Sequence, residues 1–150
     1  MAGRFFDEWQ VGDRIEHELR RTVTETDNLL FTTMTHNPQP LHLDIEAAKE
    51  SEFGKILVNG TFTFALMIGL SVGDTTVGTL VANLGYDKVM MPHPVAIGDT
   101  LRATSEVAAL KESKSRPNAG IVTFQHELLN QRDEVVCKCS RAALLLRSGA

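Results

Sequence analysis

Cysteine is scarce in this 150-residue sequence, which has only Cys137 and Cys139. Two apart on a strand-like run, they share a face but are poorly placed to bridge each other. Without a second pair of ligands they make a weak zinc site. The reading is two buried free thiols in a reducing compartment, and so a cytoplasmic protein. Basic charge is short as well: the net charge is −4, which excludes the dense positive footprint of a general nucleic-acid binder. No apolar run can span a bilayer, since the longest, Phe62 to Val72, lies between Asn59 and Asp74. The opening "MAGRFFDEWQ" carries acids and no apolar core, unlike a secretory signal. His17, His36, His42, His93 and His126 are scattered without metalloprotease or zinc-finger spacing, so no metal is expected. The glycines at 73, 78 and 85 do not fit a dinucleotide-binding loop.

What is present is ordinary for a globular chain, 43% hydrophobic and 23% charged, with no repeat or low-complexity tract. One domain over residues 1–150 is expected. "RIEHELRRTVT" (14–24) alternates as a strand with Ile15, His17, Leu19 and Arg21 on one side. "TETDNLLFTTMTH" then opens a short helix, and Asp44 N-caps a second over "IEAAKES". "TFTFALMIGLSVG" is apolar on nearly every side, the pattern of a helix buried all round. The second half, "GTLVANLGYDKVM", "DTLRATSEVAALK", "GIVTFQHELLN" and "EVVCKCSRAALLL", reads as strands separated by turns. Leu101, Ala103, Val107 and Ala109 form one apolar face. A bent antiparallel sheet of about five strands wrapped around one buried helix satisfies both apolar surfaces, giving an α+β architecture. Its free edge strand predicts pairing with a second copy.

Two stretches stand out chemically. "THNPQPLHLD" (35–44) reads as a rigid extended turn, because each proline fixes its own φ and restrains the residue before it. Such a turn aims His42 in a set direction. An isolated loop histidine is otherwise structural or solvated, the reading that fits His36 at a helix end. Asp44 is the nearest acid, but its capping role already accounts for it. Gly60, before the apolar helix, lets a backbone N–H at the positive end of the helix approach a ligand. It also fits a plain turn, and Asn59 beside it either bonds the same ligand or shapes that turn. "KESKSRPNAG" is a basic hairpin tip, either solvated or suited to phosphates.

Phe31, Met34, Thr35, Asn37, Gln39, Pro40, Leu41, His42 and Asp44 resemble the hydratase motif of the MaoC-like, R-specific enoyl-CoA hydratases. "LVNG", "MPHPVAIGDTL" and the closing strands extend the resemblance over nearly the whole chain. It implies a single hot-dog fold. It also implies reversible hydration of an enoyl-CoA, with coenzyme A arriving as part of the substrate and no separate cofactor. "NPQPLHLD", "LSVGDTTVGTLVANLG" and "KSRPNAGIVTF" look most like the branch acting on short branched dicarboxylic thioesters of the mesaconyl-CoA or itaconyl-CoA type. In the family pattern an aspartate stands five residues before the histidine, with an asparagine between them; here those places hold Asn37 and Gln39. The resemblance therefore implies His42 as base and acid, Asn37 as a water-orienting amide that cannot take up a proton, and the Gly60 N–H on the thioester carbonyl. It further implies Ser115 and Arg116, with Asn59 secondary, as coenzyme A contacts, and a pocket at the interface of a homodimer. Losing one acid–base group removes ~10²–10⁴ in rate, one contribution among several. Two alternatives remain open. A thioesterase on this fold needs a carboxylate on or beside the central helix, and the sequence has no acid between Glu52 and Asp74. A non-catalytic acyl-CoA-binding subunit is consistent with Asn37.

Overall fold

Alternation with period two over the second half of the chain builds the sheet, and the one long apolar segment fills it. The computed structural model describes residues 2–150. A 3-10 turn, Phe6–Glu8, precedes β1 (Arg14–Thr22), α1 (Glu25–Met34), α2 (Pro40–Leu43), α3 (Ile45–Glu50) and α4 (Gly60–Thr75). Then come β2 (Leu80–Met90), β3 (Thr100–Glu112), β4 (Ala119–Leu129) and β5 (Val135–Leu146). The strands form one antiparallel sheet in the order β1-β3-β4-β5-β2. This is the helix-in-sheet arrangement expected from the pattern.

The inner face of the sheet has two apolar ends. At one, Met67, Ile68 and Leu70 of α4 pack on Leu101, Ala103, Leu128 and Val136. At the other, Phe6 and Trp9 cover Val107, Val122 and Phe124, with Trp9 edge-on to Phe124 at 5.2 Å between centroids. Each such Val, Leu, Ile, Met or Phe side chain contributes ~1.5–3 kcal/mol by leaving water. Cys137 and Cys139 lie buried and unpaired, and burial raises both thiols to about 11, so they are inert fillers.

Between the two apolar ends, by position along each strand, runs a polar belt. Asp74 Oδ2 accepts from His17 Nδ1 at 2.9 Å, and the Ser105 hydroxyl lies 2.7 Å from both His17 Nε2 and His126 Nδ1. Arg141, fully buried, donates from Nε to Asn83 Oδ1 and from its second guanidinium nitrogen to Thr76 Oγ1. Burial, then the Arg141 charge, then that of His17 push the His126 imidazole down to about 3. The belt thus carries a neutral histidine in the middle of the fold.

Four local expectations change. Leu19 is exposed, as is Arg21, because a register shift between Glu16 and Arg20 breaks the alternation and leaves His17 as the buried residue of β1. A second shift between Val107 and Ala109 turns Ala109 outward. Helix α4 is not buried all round: Thr61, Ala65 and Gly69, four apart, remain exposed as a stripe of small residues. Finally, residues 40–43 are not extended. Pro40 at N1 starts a helical turn, where its missing N–H costs nothing. Asp44 then caps α3, its Oδ1 accepting from the Glu46 and Ala47 N–H groups.

Candidate active site

Local turn chemistry places His42. The Asn37 side-chain oxygen accepts from the Gln39 N–H at 3.0 Å, bracing the approach to α2. The Asp44 N–H donates to the Pro40 carbonyl at 2.8 Å and closes that turn. His42 Nδ1 lies 2.8 Å from the Leu57 carbonyl oxygen. A carbonyl only accepts, so Nδ1 carries the proton and the neutral ring keeps a lone pair at Nε2. The turn therefore fixes the tautomer as well as the direction of the ring.

Helix α4 supplies the second group. Asn59 caps it, its oxygen accepting from the Thr61 N–H at 3.0 Å while its Nδ2 donates to Thr32 Oγ1 at 3.3 Å. The Asn59 side chain is thus buried and occupied in shaping the helix entrance, one of the two roles open to it from sequence. Among the described residues, the Gly60 N–H has no backbone or side-chain acceptor, as expected of a first-turn donor.

His42 and Gly60 meet in one cavity of about 230 Å³, lined otherwise by apolar side chains, Thr63 and His93. That space has room for a short acyl group. Asn37 and Asn59 do not line it. Ser115 and Arg116 lie on the β3–β4 turn, where Glu112 pairs with Gly120; the cavity lies toward the opposite end, where Arg102 pairs with Leu129. Ten residues of strand separate the two ends, roughly 30 Å. Within one chain that hairpin cannot reach the cavity.

A residue missed in sequence ties the site together. Asn28 is buried within α1; its Nδ2 donates to the His42 carbonyl at 2.9 Å and its Oδ1 accepts from the Asn59 N–H at 2.9 Å. One amide therefore holds both the imidazole turn and the α4 entrance. The available signal was an asparagine, a poor interior helix former, beside Leu29 and Leu30. His93 and Met91 also reach the cavity unannounced.

Other constellations are less suited to chemistry. Asp74, His17 and Ser105 have the residue types of a hydrolytic triad, but the Ser105 hydroxyl is held between two imidazoles and the residue is buried. A larger concavity of about 420 Å³ on the sheet, lined by residues such as Arg14, Lys88, Glu106 and Lys138, mixes both signs of charge. Among the described residues no three His, Cys, Asp or Glu side chains gather where a metal could be held. No described helix is long and apolar enough to cross a membrane.

Residues 8–128 match the family model described as MaoC like domain. The chain is 36% identical over 135 residues to mesaconyl-CoA hydratase from Cereibacter sphaeroides, covering 90% of this chain and 39% of that protein. It therefore spans about two fifths of the length of the first curated relatives it matches. The solved MaoC-like dehydratase from Rhodospirillum rubrum superposes with a TM-score of 0.86 at 34% identity, covering 99% of this chain and all, 100%, of that one. A Mycobacterium tuberculosis protein with a double hotdog fold superposes at 0.88, covering 98% of this chain and 45% of that chain; its 22% identity speaks to fold alone. The bent sheet around α4 is accordingly a hot-dog fold, and the chain belongs to the MaoC-like domain family.

Proposed function

We propose that this chain reversibly hydrates a short enoyl-CoA, with branched dicarboxylic thioesters of the mesaconyl or itaconyl type as preferred substrates. The observation that carries this reading is the lone pair at His42 Nε2 and the Gly60 N–H in one small cavity. In the hydration direction the Gly60 N–H donates to the thioester oxygen. Water attacks Cβ as Nε2 takes one of its protons, and the Cα=Cβ electrons move to an enolate held at that N–H. The imidazolium then returns the proton to Cα, so one group acts as base and acid and no net proton is consumed. Dehydration reverses these steps. The mesaconyl-CoA hydratase relative supports the substrate class, and the cavity has room for a short acyl group.

Coenzyme A extends outside the cavity in this reading. Ser115 and Arg116 contribute only if a second copy brings its hairpin to the cavity mouth. A homodimer is favoured by unpaired apolar side chains on edge strand β2, such as Leu84, Val89 and Met90, and on α1, where Leu29, Leu30 and Met34 are exposed.

Purified protein is expected to consume the enoyl absorbance of mesaconyl-CoA without releasing free thiol. Thiol release would make it a thioesterase. Tight binding without turnover, reversed by Asn37→Asp, would make it an acyl-CoA-binding subunit.

The glycine requirement is separately testable. A Cβ at Gly60 would lie 2.5 Å from Met91 Sδ and 3.3 Å from its Cε. The thioether end is flexible and can yield, so Gly60→Ala is expected to fold but to crowd the cavity, lowering kcat/KM roughly tenfold or more. Gly60→Ala combined with Met91→Ala should recover much of that loss. An unaltered kcat/KM in the single variant would argue against substrate approaching this helix entrance.

A further inference from the structure

The steps above leave the cavity's second imidazole unused. His93 stands between Pro92 and Pro94, on the segment joining β2 to β3. Leu57 bridges Ala96, and the Val58 N–H donates to the Val95 carbonyl, so this segment runs alongside the entrance of α4. The flanking prolines limit the backbone, and the His93 Nδ1 donates to the Val135 carbonyl at 2.9 Å. His93 is exposed in the single chain, and these two restraints hold its ring at the rim of the cavity. Nε2 remains as the free polar atom of the ring.

Charge gives that atom a use. His42 and His93 are the only described lining residues able to carry positive charge. A substrate carboxylate held at the rim of this largely apolar cavity gains from a cationic partner there. His42 is committed to water and Cα. On the proposed hydratase reading, we infer that His93, as imidazolium, pairs with the second carboxylate of a branched dicarboxylic enoyl thioester and selects it over a monocarboxylic one. Glu134, bonded by Asn130 and Arg132, is within electrostatic reach of His93.

The test compares mesaconyl-CoA carrying its free carboxylate on Cβ with tiglyl-CoA, where a methyl group takes that place. In His93→Gln, kcat/KM for mesaconyl-CoA is expected to fall roughly ten- to hundredfold, while that for tiglyl-CoA stays within about threefold of wild type. His93→Phe should behave alike. Equal losses on both thioesters would make His93 part of the general machinery or of the fold, and no loss would leave it a bystander; either overturns the inference. If the wild type hydrates neither thioester, the hydratase reading fails. Calorimetric affinity for mesaconyl-CoA then decides: weaker binding to His93→Gln upholds the carboxylate pairing, and equal binding removes it.

Discussion

Replacing His42 with alanine is expected to lower kcat for enoyl-thioester hydration by ~10²–10⁴ while the protein stays folded. The ring is half-buried and its one bond to the protein within the turn is to the Leu57 carbonyl. Losing that bond costs stability about 0.5–1.5 kcal/mol, well short of unfolding a domain. The chemical loss is larger because the cavity offers no carboxylate to stand in: its lining contains neither Asp nor Glu. Single-turnover kinetics on His42→Ala and His42→Gln, alongside their thermal melts, separate the two effects. Turnover at the wild-type rate in a folded His42→Ala would remove the imidazole from the mechanism.

Acid is expected to destabilise this protein through His126, among other groups. In the unfolded chain its imidazole titrates at the ordinary 6.5, whereas burial holds it neutral in the fold down to about 3. As pH falls below the first value, the unfolded state takes up a proton that the native state refuses. Stability is therefore unpenalised above that range, declines below it, and goes on declining until the lower value is reached. By pH 4.5 the loss from this one group is about 2–3 kcal/mol, a large part of a domain's net stability. Urea midpoints at pH 7 and pH 4.5 measure it. His126→Gln, which cannot titrate, should show a flatter dependence even if it is less stable at neutral pH. Parallel slopes in the two proteins would place the acid sensitivity elsewhere.

The strands of the second half, the helix opened by "TETDN" and the Asp44 N-cap were legible because they rest on short-range rules: alternation, capping and turn chemistry. Where alternation breaks, at Glu16/Arg20 and Val107/Ala109, the cause is a bulge set by the partner strand, which no local pattern carries. His42 and Gly60 were legible as candidates, the first through its proline setting and the motif it resembles. That they share a cavity is a tertiary fact. Asn28, His93 and the polar belt were hidden for the same reason. A buried amide or imidazole declares itself only through partners 14 to 88 positions away, such as the His42 carbonyl for Asn28 or Ser105 for His17. Helix α4 was misjudged on one side because Thr61, Ala65 and Gly69 are too small to announce a surface.

Helix α1 turns Leu29, Leu30 and Met34 outward, while Asn28 on the same rigid rod grips the His42 turn and the α4 entrance. A load on the outer side of that rod bears inward through Asn28 on the His42 turn and the α4 entrance, and through Thr32 on Asn59, so it reaches both proposed catalytic groups at once. Docking against that flank would act as a lever on the whole reaction centre.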